Sequence, residues 1–175
     1  METALVLTLD DAEPFDEIRR EFDPVSFPLG VPFHVTLLYP FAPREELTDE
    51  LLADVRAFFA TQAPFEFALT HVAAWPKVVY AVPEPDDELR RVMRELFARF
   101  PRWPPYGGSI PREAVIPHAT LGEDVDGAVV RDEIARRVAA HLPKRYVIDD
   151  ASLLEEDESG RWRERERFAL GGERA

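Results

Sequence analysis

The sequence has no cysteine among its 175 residues, which excludes a disulfide framework, a thiolate metal site and a cysteine nucleophile. Positive charge is scarce, because 21 Lys and Arg stand against 34 Asp and Glu, for a net charge of −13. This balance excludes a basic module that holds extended nucleic acid by neutralising its phosphates. It is compatible with a short or cyclic nucleotide bound in one local pocket.

Long apolar runs are also absent from the sequence. The N-terminal stretch METALVLTLDD has no Lys or Arg before its short apolar part and continues into acidic residues, unlike a signal peptide. No run approaches the roughly 20 residues that a membrane helix needs. We therefore expect a cytoplasmic monomer with no membrane partner.

What the sequence does contain is enough apolar material for a core: 46% of its residues are hydrophobic and 11% aromatic. Periodicity and turn signals predict strands over 4–9, 33–40, 65–72, 78–82, 114–121, 145–154 and 161–170. They predict helices over 12–22, 47–62, 86–100 and 126–141, with Thr48 as an N-cap. One domain over residues 1–175 suits this length.

The order of the elements repeats. Each half of the chain reads strand, helix, strand, helix, strand, with the division near Pro83 to Pro85. We expect an α+β fold: a pseudo-two-fold duplication of βα units, with mixed and mostly antiparallel sheets lining a central cleft and helices outside. The lobes would span roughly 1–84 and 85–175, with an exchange of strands between them left open.

Two of the four histidines share a tetrapeptide, one in each half. These are His34-Val35-Thr36-Leu37 and His118-Ala119-Thr120-Leu121. On a strand, residues i and i+2 point to the same face. Each motif thus presents an imidazole and a hydroxyl together, and a pseudo-two-fold would place the two pairs face to face across the cleft.

This constellation suits in-line displacement at a phosphodiester. One histidine would act as a base on the attacking oxygen and the other as an acid on the leaving oxygen, since the ordinary pKa of histidine is about 6.5. The Thr36 and Thr120 hydroxyls would donate hydrogen bonds to the non-bridging oxygens. No metal or other cofactor is needed.

Other interpretations of the histidines remain open. A single His on a strand is commonly structural, and a metal site at His34 and His118 would lack the usual H-x-H or H-E-x-x-H spacing. His71 follows Phe65, Phe67 and Leu69 in alternation, which indicates a core or cleft-edge residue. His141 ends a helix, and we assign it no chemistry.

The chain resembles the two-histidine phosphoesterases, also called the 2′-5′ RNA ligase-like superfamily. The resemblance lies in HVTL at 34–37 and HATL at 118–121, with LLYPF after the first motif, PPYGG before the second and WRERERFALGG near the end. It implies two βα lobes around a cleft, His34 and His118 as acid and base, and Thr36 and Thr120 as phosphate-holding hydroxyls. The family opens 2′,3′-cyclic phosphates, hydrolyses ADP-ribose 1″,2″-cyclic phosphate, and cleaves or joins 2′-5′ linkages.

One departure concerns the residues after the second motif. Many bacterial relatives have a basic residue there, whereas this chain has Gly122-Glu123-Asp124. The change disfavours ligation of RNA ends and favours a small substrate.

Aromatic and charged residues near the motifs supply further candidates. Tyr39, Trp75, Trp103 and Tyr106 could each stack on a base, although burial in the core is the alternative for each. Gly107-Gly108 would serve either as a loop that closes over the cleft or as a plain turn. The alternating arginines from Arg161 to Arg167 fit solvated charges that protect an edge strand better than a stripe for nucleic acid.

The sequence therefore predicts a metal-independent phosphoesterase that hydrolyses a cyclic or 2′-5′ phosphodiester of a small nucleotide or an RNA terminus. Three alternatives are an RNA 2′-5′ ligase, a non-catalytic nucleotide-binding module and a purely structural domain.

Overall fold

The computed structural model describes residues 1–172; residues 173–175 of the predicted domain lie outside the described part. The strands are β1 Thr3–Thr8, β2 His34–Leu38, β3 Phe65–Trp75, β4 Val78–Glu84, β5 Ala119–Glu123, β6 Lys144–Ile148, β7 Asp150–Glu156 and β8 Trp162–Ala169. The helices are α1 Glu13–Phe22, α2 Asp49–Ala60, α3 Asp87–Arg99 and α4 Gly127–Val138. As predicted, the Thr48 hydroxyl caps α2, accepting a hydrogen bond from the Leu51 N–H.

The strands form two antiparallel four-stranded sheets, in the orders β2-β1-β7-β8 and β5-β4-β3-β6. The predicted α+β class is confirmed. Each sheet takes two strands from either half of the chain, so the lobes in space do not follow the division at residues 84 and 85. The two halves of the chain therefore exchange strands, a possibility that the sequence left open, and each contributes two strands to each sheet.

Alternation along the strands separates a core face from a cleft face. In β2, Val35 and Leu37 are fully buried, while His34 and Thr36 are partly exposed. Val35 and Leu37 belong to one apolar cluster that contains residues of both sheets. This continuous core fixes the two sheets against each other.

Helices α1 and α3 each pack on the sheet that does not contain the strands they connect. Although α1 connects β1 to β2, it packs against β5, and α3, which connects β4 to β5, packs against β2. Gly122 permits the first of these contacts, because a Cβ there would come within 3.3 Å of the Cβ and carbonyl oxygen of Phe22. Each motif strand thus packs against a helix that connects two strands of the other sheet.

Two strand predictions were wrong in their bounds. The predicted strand 145–154 is two strands in different sheets, because the chain turns at Asp149 from β6 into β7. The predicted strand 114–121 begins only at Ala119. Pro117 has no N–H to donate to a strand ladder, so regular pairing starts after it.

The prediction that His71 lies in the core or at the cleft edge was also wrong. The register of β3 against β4 shifts between Leu69 and His71, and a bulge of this kind reverses the alternation that follows it. The His71 side chain is 57% exposed and faces Glu84.

Within the described residues, no helix has both the length and the apolar character needed to span a membrane.

Candidate active site

Strand β2 contains the first motif, and β5 begins directly after His118 and contains the rest of the second motif. Both are edge strands of their sheets, and they contact each other. Between the lobes lies a cavity of about 380 Å³, whose lining includes His34, Thr36, His118 and Thr120. The two His-Thr pairs, 84 residues apart in sequence, therefore face one space. This volume falls within the range of small-molecule sites.

His34 is held by the backbone just before it. Its Nδ1 lies 2.7 Å from the carbonyl oxygen of Pro32. A carbonyl oxygen only accepts hydrogen bonds, so Nδ1 carries the proton and donates. In the neutral ring Nε2 then keeps its lone pair, and it lies 3.1 Å from Thr36 Oγ1.

His118 repeats this arrangement. Its Nδ1 lies 2.8 Å from the carbonyl oxygen of Ile116, again two residues before the histidine. Its ring stands edge-on to Trp75 and Tyr80, with centroids 4.8 and 5.5 Å away. In both motifs Nε2 is the nitrogen left for a ligand.

Burial shifts the titration of both histidines. It lowers the pKa of His34 from 6.5 to about 4, against the opposing effect of the Pro32 hydrogen bond. Charges on Arg19 and His118 lower the pKa of His34 further. Burial also lowers the pKa of His118, opposed by its hydrogen bond to Ile116. Both imidazoles are thus neutral at pH 7.

Arg19 is a buried cation in the cleft lining that the sequence did not reveal. Its side chain is 2% exposed, and Nη2 lies 3.2 Å from the Asp23 carboxylate. The same nitrogen donates to the carbonyl oxygen of Val31 at 2.9 Å. Val31 precedes Pro32, whose carbonyl group holds His34, so Arg19 fixes the segment that positions this histidine.

Glu123 links the lobes at one side of the cleft. The Ser26 hydroxyl, in the loop between α1 and β2, donates to a Glu123 carboxylate oxygen at 2.7 Å. The Ser26 N–H in turn donates to Asp23 at 2.8 Å. The departure noted after the second motif therefore places a carboxylate in the cavity lining.

Glu2, Tyr39, Glu156 and Trp162 form another part of the lining. The Tyr39 hydroxyl donates to Glu2 at 2.5 Å, and burial together with Glu2 raises the pKa of Tyr39. The Tyr39 and Trp162 rings meet edge-on at 6.1 Å. Sequence reasoning missed Glu2, Glu156 and Trp162, because only the pairing of β1, β7 and β8 brings the chain ends to this site.

The aromatic candidates separate into two groups. Tyr39 and Tyr106 line the cleft, and Trp75 lines an adjoining cavity of about 370 Å³ that also reaches Tyr106 and His118. The stacking candidate Trp103 was wrong in position. It is partly buried, packs edge-on against Phe41 of the core at 5.0 Å, and lines neither cavity.

The Gly107-Gly108 segment forms a turn. The N–H of Tyr106 donates to the Tyr39 carbonyl oxygen at 2.6 Å, which ties this turn to the end of β2. Tyr106, Gly107 and Gly108 all have positive φ, of 52°, 61° and 81°. Glycine adopts such angles without steric cost, which explains why glycine occupies positions 107 and 108.

The arginines of β8 lie on an edge strand, as expected, but two of them have a buried partner. Arg163 and Arg165 each approach the carboxylate of Glu155 to 2.8 Å, and Glu155 is only 4% exposed. These arginines therefore stabilise the β7–β8 pair.

Within residues 1–172, no group of three or more His, Asp or Glu side chains is arranged to hold a metal ion.

Comparison with known proteins finds matches over most of the chain. A family model described as the 2′-5′ RNA ligase superfamily matches residues 8–160. A protein of Geobacillus kaustophilus (strain HTA426), named as a proposed phosphoesterase, is 27% identical over 157 residues, covering 88% of this chain and 86% of that protein.

Two solved structures share the fold. E. coli LigT complexed with 3′-AMP has a TM-score of 0.66 at 20% identity, with 97% of each chain covered. A protein of Thermus thermophilus has a TM-score of 0.59 at 21% identity, covering 99% of this chain and 100% of that one. Because the family model spans most of the sequence and the architecture is the same, the chain belongs to the 2′-5′ RNA ligase superfamily.

Proposed function

We propose that this chain is a phosphoesterase that hydrolyses a 2′,3′-cyclic or related phosphodiester of a small nucleotide, using His34 and His118 as acid and base without a metal ion. The observation that carries the proposal is that the histidine and threonine of both motifs line one cavity, with each histidine held at Nδ1 by the carbonyl oxygen two residues before it. The structure of E. coli LigT with 3′-AMP, in the same fold, supports a small nucleotide as the ligand.

In the proposed reaction, one neutral histidine accepts a proton at Nε2 from the attacking water. The water oxygen forms a bond to phosphorus as the opposite ester bond breaks. The other histidine, protonated at Nε2, gives its proton to the leaving ribose oxygen. The product is a nucleoside phosphomonoester, and the two histidines have exchanged protonation states.

The electrostatics of the cleft fit these roles only after the substrate binds. Both histidines have a lowered pKa in the free protein. A phosphodiester anion beside one of them favours its charged form and raises its pKa. The Thr36 and Thr120 hydroxyls then donate to the non-bridging oxygens, where charge develops during the displacement.

A decisive experiment measures hydrolysis of a panel in EDTA: the four 2′,3′-cyclic nucleotides, ADP-ribose 1″,2″-cyclic phosphate and a 2′-5′ dinucleotide. Wild type, His34→Ala and His118→Ala are compared with His141→Ala, a matched change of a histidine outside the cleft lining. We expect turnover in wild type and in His141→Ala, and none in the two motif variants.

Three outcomes would contradict the proposal. Activity that EDTA abolishes and added divalent metal restores would overturn the metal-free mechanism. Nucleotide binding without turnover would favour a non-catalytic binding module. Neither binding nor turnover would point away from small nucleotides.

RNA 2′-5′ ligation is the second candidate, since the superfamily carries that name. The test is joining of an RNA with a 2′,3′-cyclic phosphate end to one with a 5′-hydroxyl end. The carboxylates in the cleft lining make this the less favoured activity.

A further inference from the structure

The charges that line the cleft are mostly negative. Among the residues described, the lining contains four carboxylates and one cation, namely Glu2, Asp23, Glu123, Glu156 and Arg19. Arg19 is already paired, with Asp16 at 3.1 Å and Asp23 at 3.2 Å. Two carboxylates therefore already pair with this cation before any ligand enters, although its charge still lowers the pKa of His34.

The other three carboxylates have neutral hydrogen-bond partners. Ser26 donates to Glu123, Tyr39 donates to Glu2, and the backbone N–H of Glu2 donates to Glu156. None of the three lies within 4.0 Å of a cationic group of residues 1–172. Neutral partners hold a carboxylate in place but leave its charge uncancelled.

These carboxylates do not all line the same cavities. Glu123 lines both the main cavity and the adjoining cavity that contains Trp75, so it lies beside His118 and Thr120. Glu2 and Glu156 line only the main cavity, near Tyr39 and Trp162. A ligand in the main cavity therefore shares that space with all three carboxylates.

Coulomb repulsion grows in proportion to the charge of the ligand. A phosphodiester carries one negative charge, whereas a phosphomonoester carries about 1.5 to 2 at neutral pH. We propose, on the basis of the function proposed above, that Glu2, Glu123 and Glu156 make the cleft selective for charge. It accepts a ligand whose only charge is the reacting phosphodiester and rejects one that carries a further phosphate.

The same repulsion acts on the product. Opening a cyclic phosphodiester converts a monoanion into a group whose second ionisation has a pKa near 6. Hydrolysis thus raises the negative charge inside an acidic cleft. The product leaves more readily than the substrate, and the reverse reaction, which would require a phosphomonoester to bind, is disfavoured.

The test uses binding as well as turnover, so that the two proposals can fail separately. Calorimetry measures the Kd of 3′-AMP and of adenosine 3′,5′-bisphosphate at low and at 500 mM salt. In parallel, kcat/KM is compared for 2′,3′-cyclic AMP and its 5′-phosphorylated form. The variants are Glu123→Gln and Glu156→Gln; the matched control is Glu17→Gln, an exposed residue of α1 outside the lining.

We expect wild type to favour the ligand with fewer charges by about tenfold or more at low salt, since three carboxylates act together. Glu123→Gln and Glu156→Gln should each reduce the preference, measured as the ratio of the two Kd values or of the two kcat/KM values, several-fold. Salt at 500 mM should reduce the same ratios. Glu17→Gln should leave the ratio unchanged.

Other results would overturn the inference. Equal or tighter binding of the bisphosphate by wild type contradicts it outright. A preference that neither salt nor the Gln variants alter would be steric and would also contradict it. Charge-dependent binding without turnover would overturn the proposed function and leave the charge selectivity standing, whereas binding of neither nucleotide together with no turnover of either cyclic substrate would overturn both.

Discussion

His34 Nε2 lies 3.1 Å from Thr36 Oγ1, so the imidazole and the hydroxyl of the first motif share one face of β2 and meet within hydrogen-bond distance. In this motif the H-x-T spacing places both groups on one face of the strand. His118 and Thr120 line the same cavity from the other sheet. Four tests follow from this arrangement and from the residues that support it.

Removing the hydroxyl of either motif should slow turnover without preventing binding. For Thr36→Val or Thr120→Val we expect a loss in kcat of about 10²–10³-fold at most, because one donor to developing charge supplies about 2.7–4 kcal/mol. Thr36→Ser and Thr120→Ser keep the hydroxyl and should retain most of the activity. Steady-state kinetics checks this, and a Ser variant as slow as the Val variant would argue against a hydrogen-bonding role.

The pH dependence of kcat/KM should be bell-shaped, with its maximum below pH 6.5. Burial lowers the pKa of both histidines in the free protein, that of His34 to about 4. Activity requires one protonated and one neutral histidine, so the rate should fall up to about tenfold per pH unit on the basic side. A pH series in a buffer of constant ionic strength tests this, and a maximum at pH 7.5 or above would contradict it.

The stability of the protein should fall as the pH decreases from 6.5 towards 4. In this window the unfolded chain protonates His34 while the folded protein keeps it neutral, so unfolding takes up a proton. A pKa of about 4 in place of 6.5 corresponds to about 3 kcal/mol across the window.

The measurement is urea unfolding of wild type and His34→Asn at several pH values. Asn can still donate to Pro32, and the variant should lose part of the pH dependence. The control His141→Asn should match wild type; equal slopes in all three proteins would refute the assignment to His34.

Arg19→Met should lower the free energy of unfolding by about 3–5 kcal/mol, because it leaves the fully buried Asp23 carboxylate without its cationic partner. Adding Asp23→Asn should recover part of that loss. Arg94→Met, on an exposed position of α3, serves as the control and should change stability little. Urea unfolding checks all three, and a loss below about 1 kcal/mol in Arg19→Met would show that the ion pair contributes little.

The parts of this molecule that the sequence predicted are those governed by local rules. Helix periodicity located α1 to α4, and Val35 and Leu37 alternate with His34 and Thr36 as a half-buried strand requires. The repetition of the motif pointed to a shared cleft. The catalytic roles of the motif residues stay predictions until the variants are measured.

The parts it could not predict depend on contacts between distant segments. Glu2 and Glu156 reach the cleft only because β1 pairs with both β2 and β7. Arg19 looked like one position of an amphipathic helix, and its partners at Asp23 and Val31 become evident only in the folded chain. The bulge before His71 likewise arises from the pairing of β3 with β4, and the sequence of β3 alone does not predict it.

The crossing of α1 and α3 between the sheets has a consequence for how such a chain can be divided. A fragment ending at Glu84 would contain two strands of each sheet and complete neither, and it would lack the β5 surface on which α1 packs. Neither half is therefore expected to fold as an independent domain. If an ancestral gene encoded a single half, its product would have had to associate with a second copy of itself before any such cleft existed.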